Sequence, residues 1–274
     1  VVDYAQFAQA PPTRRLLTPS ADAIEGFADA IGDAHPWHRA DGGGEAPPTY
    51  AFVMALAGGA FAFPTDGLIH AEQAFEFAAP VRAGETLVVE SGLTRARSRG
   101  EGAQTTWILT WQGRGATQAG EPRFTMSARL VARPAGTPVE TPAPAPPGDD
   151  TAEGNLGAFR ARLDRAAIAR YARASGDHNP IHLDDEVARS FGLAGIVAHG
   201  MLSMALTSRL AETWARTDGR RLTGLVAKFL APVLAGEEVR VDGLTQTDDA
   251  VDLWLVGEDG RERVRGRATR SAPA

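Results

Sequence analysis

The 274-residue sequence predicts an α+β protein made of two copies of one helix-then-strands unit. The first sign is an internal repeat, which takes precedence over any reading of single elements. Ile24–His38 aligns without gaps on Ile168–His182, and Gly32/Gly176, Asp33/Asp177, Pro36/Pro180 and His38/His182 match at an offset of 144. A second block, Phe77–Glu85, matches Phe229–Glu237 at an offset of 152, so the later copy holds eight more residues between the blocks. The other sign lies between the copies. From Arg133 to Gly154, Pro, Thr, Ala and Gly replace any apolar periodicity, the composition of an extended, semi-rigid linker. The units expected are residues 1–133, a linker over 134–154, and residues 155–274.

Each element follows from local pattern. Thr18 with Pro19 reads as a cap and first helical residue ahead of Ile24, Phe27 and Ile31, and Asp164 stands in the same relation to Ile168, Tyr171, Ala172 and Ser175. Both helices are expected to stop at the Gly-Asp turn. A longer helix follows in the second copy, with Met201, Ala205, Leu206, Leu210 and Trp214 on roughly helical spacing, and it reads as buried core. Strand-like runs then cover Leu222–Leu230, Glu237–Gln246, Val251–Val256 and Arg263–Thr269, with Asp248-Asp249 and Glu258–Arg261 as hairpin turns. A helix followed by an antiparallel sheet is a layered α+β arrangement.

Composition excludes several functions. Hydrophobic residues make up 43% and charged residues 23%, which fits an ordinary globular chain and not a disordered one. Net charge is -6, so there is no basic footprint for nucleic acid. Cysteine is absent, which removes disulfides, thiolate nucleophiles and Cys-based metal sites. With no signal-like start and no apolar run long enough to span a bilayer, no membrane partner is expected and the location expected is cytoplasmic.

The chemistry-bearing segment is Ser175–Asp185, which crowds titratable groups around Pro180. Asp177 and His182 are five residues apart and would lie on different faces of an unbroken helix, so they converge only through a turn. A carboxyl and an imidazole over one substrate form an acid/base pair able to add or eliminate water beside a carbonyl. Such a reaction also needs donors for the enolate-like oxygen, and backbone amides at a helix start supply them. The Gly200-Met201 peptide stands where the long helix should begin. In the first copy Pro48 occupies the Gly200 position and has no N–H, so Asp33 and His38 read as a vestigial or structural pair and the second copy as the chemical one. Metal binding by Asp177, His178, His182 and Asp184 or Asp185 is the weaker reading, because the calcium-loop pattern fails at Ile181. Gly42–Gly44 lacks the rest of a phosphate loop, His199 reads as a helix-start histidine, and His70 has no functional reading.

Tyr171–His182 and Ile196–Ala205 together resemble the hydratase-2 motif and companion segment of MaoC-like enzymes. The second half is most similar to a B-type (3R)-hydroxyacyl-ACP dehydratase subunit. The first half, through Ala46–Val53 and Gln73–Val81, is similar to its A/C-type partner. The resemblance implies a fused heterodimer with a double hot-dog fold, two long central helices wrapped by one continuous antiparallel sheet. It implies a hydro-lyase interconverting (3R)-hydroxyacyl and trans-2-enoyl thioesters, with Asp177 and His182 catalytic, Asn179 positioning, and Gly200, Met201 and His199 at the substrate. No metal or other cofactor is implied beyond the phosphopantetheine of CoA or of an acyl carrier protein. One chain is expected to be the functional unit, as a monomeric pseudo-dimer or a homodimer of such chains. The alternatives are a CoA-linked (R)-specific hydratase of degradation or secondary metabolism, a silent acyl-thioester-binding partner, and, ranked lowest, a thioesterase. The first half departs from its partner-subunit pattern by keeping Asp33 and His38, with His35 in place of asparagine.

Overall fold

The structure is a computed structural model. It describes residues 2–57, 61, 63–65, 68–133 and 154–272, without the side chain of residue 103. The expected linker, apart from Gly154, lies outside the described residues. In chain order the elements are β1 (Thr13–Leu17), α1 (Ala21–Ala30), α2 (Tyr50–Ala57), β2 (Leu68–Phe77), β3 (Leu87–Arg99), β4 (Thr106–Thr117) and β5 (Pro122–Ala132). The second half repeats them as β6 (Phe159–Arg162), α3 (Arg165–Ser175), the additional α4 (Asp185–Ser190), α5 (Gly200–Arg216), β7 (Leu222–Phe229), β8 (Glu238–Thr247), β9 (Ala250–Val256) and β10 (Glu262–Arg270). The eight extra residues of the second copy fall on the stretch that forms α4.

The ten strands of the described residues join one antiparallel sheet in the order β1-β3-β4-β5-β2-β7-β10-β9-β8-β6. Since β6 to β10 repeat β1 to β5, the order is a palindrome, and the halves meet where β2 pairs with β7, Glu72 opposite Lys228 and Phe75 opposite Leu225. The short strands β1 and β6 form the two edges. This is the double hot-dog arrangement.

The alternation of β4 explains why one sheet face is covered: Leu109 and Trp111 are buried, while Ile108 and Gln112 on either side of them are exposed and Thr110 between them is half-buried. The covered face receives α2 in the first half and α5 in the second. α5 is buried on nearly every side from Met201 to Ser208, and its run of Met, Ser, Ala and Thr lets β7 to β10 approach closely. Each fully buried Leu or Met of this core, such as Leu202 and Met204, is worth about 1.5–3 kcal/mol. At its far end Arg270 lies over Trp214, 4.3 Å from the ring centroid, and donates to the Trp214 carbonyl at 3.0 Å, satisfying the carbonyl end of the helix dipole. α2 is described over eight residues, about half the length of α5. No helix among the described residues is long and apolar enough to cross a membrane.

The two short helices pack on each other, Phe27 of α1 against Tyr171 of α3 at 5.8 Å between centroids. Asp164 caps α3 as expected, accepting from the Ala167 amide at 2.7 Å. α1 is capped by Ser20, which accepts from the Ala23 amide at 3.1 Å, and not by Thr18. The Thr18 hydroxyl is held 2.7 Å from that of Thr86, two residues too early to reach the helix. Both helices end at a glycine of positive φ, Gly32 at 68° and Gly176 at 73°, a conformation that any Cβ would strain.

Candidate active site

Gly176 turns the chain off α3, and the segment that follows is held by its own side chains. The Asp177 carboxylate accepts from the Asn179 amide at 3.2 Å, and the Asn179 side-chain oxygen from the Ile181 amide at 3.3 Å. These short-range turns start the single helical turn Pro180–His182. His182 is buried, and its Nδ1–H donates to the Val197 carbonyl at 2.8 Å. That bond assigns the tautomer and leaves Nε2 as the ring's free lone pair. Burial pushes the His182 imidazole below its ordinary value, against the attraction of Asp177 and the bond to Val197. Asp177, His182 and His199 each bring one ligand-type atom within 4.8 Å of the others, so the turn does bring the carboxyl and imidazole together.

His199 immediately precedes α5. Its Nε2–H donates to the Asp177 carbonyl at 3.0 Å, and its ring stacks on His182 with centroids 3.7 Å apart and planes 30° from parallel. Burial, followed by the neighbouring His182, holds its pKa down to about 3, so it is a neutral spacer. The next two residues, Gly200 and Met201, open α5, and their amides have no carbonyl one turn earlier to bond. A Cβ on Gly200 would sit 3.3 Å from the Phe229 ring, so this glycine also admits close approach.

A cavity of about 680 Å³ joins these groups. Asp177, Asn179, His182, His199, Gly200 and Met201, all singled out from the sequence, line it. Its other wall comes from the first half: Phe52, Phe61, Leu68, His70 and Leu130. His70 is the residue that sequence reasoning missed. Its ring lies 4.8 Å from Phe229 and 5.7 Å from Phe52, and burial holds its pKa down to about 4 against Gln73 and Asp177. No local motif marks it, because its counterpart at the offset of 152 is Leu222. Only the β2–β7 join brings it to the site.

Of the alternative metal cluster, Asp177 and His182 converge, with His199, in an arrangement that could hold an ion, while Asp184 and Asp185 are engaged elsewhere. Asp184 caps α4, accepting from the Glu186 and Val187 amides, and Asp185 pairs with Arg165 and accepts from Ile196.

The first copy keeps the motif's shape but closes it. His38 Nδ1–H donates to the Glu45 carbonyl at 2.7 Å, and Glu45 is the counterpart of Val197. Its Nε2, however, lies 3.3 Å from Asp33 Oδ2 and 3.5 Å from Glu212 Oε2 of α5, with Trp37 Nε1 also 3.0 Å away. Relative exposures are 0% for His38, 1% for Asp33 and 5% for Glu212. Burial opposes charge on His38, yet Asp33 and Glu212 outweigh it and raise the imidazole to about 9. Burial likewise opposes ionisation of Asp33, but the bond and charge of His38, with His35, hold that carboxyl far below the carboxylate range. The pair is an internal ion cluster, and neither residue lines the large cavity.

Comparison with known proteins adds to this picture. Residues 135–258 match the MaoC-like domain family, and residues 17–126 match the FAS1-like dehydratase domain region. A 3-hydroxyacyl-thioester dehydratase X of Mycobacterium tuberculosis is 43% identical over 77 residues, covering 27% of this chain and 27% of that protein. The protein UPF0336 SCO4636 of Streptomyces coelicolor is 35% identical over 140 residues, covering 46% of this chain and 90% of that protein. Among solved structures, a MaoC-like dehydratase from Phytophthora capsici superposes with a TM-score of 0.77 at 20% identity and full coverage of both chains. The aligned stretches span between 3% and 60% of the length of four curated relatives that have a named activity.

Proposed function

The chain belongs to the MaoC-like dehydratase family, and from that premise we propose that it interconverts (3R)-hydroxyacyl and trans-2-enoyl thioesters by loss and gain of water. The observation that carries the reading is His182: Nδ1 is fixed on the Val197 carbonyl, and Nε2 remains as a base beside Asp177 at the cavity. In dehydration Nε2 takes the C2 proton, the Asp177 carboxyl gives its proton to the 3-hydroxyl, the C3–O bond breaks, and water leaves. The Asp177–His182 pair thus gives one proton to the departing water and gains one from C2, which rests on His182 until exchange with solvent restores the proton on Asp177. In hydration the same transfers run backwards. The Gly200 amide, at the positive end of α5, holds the thioester oxygen as negative charge develops on it.

Asn179 and His199 are positioning residues, the first by starting the turn that carries His182 and the second by tying the Asp177 backbone to the His182 ring. Phe52, Phe61, Leu68 and Leu130 accommodate the acyl chain, so the first half shapes the substrate and the second half transforms it. Acid, base and oxyanion donor are all groups of the chain, and the reaction as proposed needs no metal or redox cofactor. The thioester arm is phosphopantetheine, carried by CoA or by a carrier protein.

The test follows loss of enoyl-thioester absorbance with crotonyl-CoA and crotonyl-ACP for wild type, His182→Ala and His38→Ala. Turnover in wild type and His38→Ala but not in His182→Ala is the expected result. Activity that persists after both Asp177→Asn and His182→Ala refutes the mechanism. The ratio of the two substrates identifies the carrier.

A further inference from the structure

The palindromic halves give the catalytic cavity a counterpart on the other side of the molecule. It is a cavity of about 270 Å³ beside the start of α2. Ala46, Pro47 and Pro48 line it where Ala198, His199 and Gly200 line the catalytic one, and Phe77–Val81 replace Phe229–Val233. Its chemistry differs for two reasons. Pro48 has no amide hydrogen to offer an oxyanion, and Glu212 and Arg216 of α5 stand between the chamber and the Asp33–His38 pair.

What remains is an apolar chamber with an excess of positive charge. Pro47, Ala51, Phe77, Val81 and Phe124 form apolar wall, and two arginines, Arg216 and Arg221, face one carboxylate, Glu212. That carboxylate is already neutralised: Arg216 donates to it at 2.8 Å, and His38 lies 3.5 Å from its other oxygen. Arg216 is committed as well, to Glu212, to Glu45 at 2.5 Å and to the face of Trp37 at 4.5 Å. Arg221 is exposed and makes no ion pair among the described residues. A single uncompensated guanidinium beside an apolar wall, with the hydroxyls of Thr223 and Ser271 also on the lining, suits a ligand with one anionic end and an aliphatic body.

We propose that this second cavity is a binding site for a free aliphatic carboxylate, its chain against the Phe77–Phe124 wall and its carboxylate at Arg221. The site is separate from the catalytic one and does not depend on the dehydratase reading. Calorimetric titration of the whole chain with octanoate, octan-1-ol and octylamine tests it. Octanoate is expected to bind with one site per chain, the alcohol more weakly, and the amine not at all. Arg221→Glu, a surface change that leaves the fold and the catalytic groups untouched, is expected to weaken octanoate about tenfold or more, and Ala51→Leu to weaken it by narrowing the chamber. The enoyl-thioester turnover of Arg221→Glu should equal that of wild type. No saturable binding of octanoate up to about 10 mM overturns the proposal. So does octanoate binding that survives Arg221→Glu and disappears in Phe52→Trp, because that places the carboxylate in the catalytic cavity.

Discussion

His182 and His38 show how one side chain in one local fold acquires two different chemistries. Each donates Nδ1–H to the same backbone position, Val197 or Glu45, and the difference lies wholly in what faces Nε2. His182 is pushed below its ordinary value by burial, so its neutral form persists to lower pH than that of a histidine in water. The acid limb of kcat/KM assigned to it is therefore expected below about 6.5, and a limb above 7 speaks against His182 as the base. His199→Ala should lower kcat by about a hundredfold with little change in KM, because it releases the Asp177 backbone and the His182 ring without removing either group. His199→Asn can restore an N–H donor and should recover part of the loss, which a merely destabilised fold would not do.

α5 is the element on which both halves converge. Its first residues line the large cavity, while Glu212, Thr213 and Arg216 near its end hold His38, His35 and Glu45. Gly200→Pro reproduces in the second half what Pro48 does in the first, and proline is well accepted at a first helical position. It should therefore fold and lose about 10²–10³ in kcat, whereas Gly200→Ala, which adds the same first contact with Phe229 but keeps the amide, should lose far less. Equal losses in the two variants point to sterics and remove the oxyanion role. The His38 cluster makes a second prediction. Because its folded pKa is raised from 6.5 to about 9, the stabilisation it brings is complete below the unfolded value and fades as pH rises through 9. The effect is read as a fall in thermal midpoint between pH 7 and 10 that His38→Ala lacks. Asp33 acts at the opposite end: its lowered pKa stabilises above the ordinary carboxylate range and is lost only in strong acid.

At the scale of the whole molecule, much of this architecture was readable because the chain states it twice. The offsets of 144 and 152 located the motif, the longer second copy and the proline that disqualifies the first half. Asp164 and the Gly176 stop were visible as local chemistry. His70 and Glu212 were not, since each acts across the boundary between halves, and a repeat read along the chain says nothing about which strands meet. Glu212 also sits within a helix whose other residues read as core. The β2–β7 join and the shared core should hold the halves together without a covalent link, so cleavage at a protease site placed within 134–153 is expected to leave one eluting species with undiminished turnover. Dissociation into two species contradicts that expectation.

The two ends of the palindrome carry a consequence for solubility. Unpaired strand edges invite other chains to add on, and an open sheet of ten strands offers two of them. Here the edges are five and four residues long and carry Arg14, Arg15, Arg160 and Arg162, of which Arg14 pairs with Glu90 and Arg160 with Glu238 on the adjacent strands, so an approaching neighbour meets long charged side chains and little backbone. Charged side chains on short edge strands disfavour the addition of another strand. Replacing Arg160 and Arg162 with valine should leave the cavity intact and make light scattering grow with concentration more steeply than in wild type.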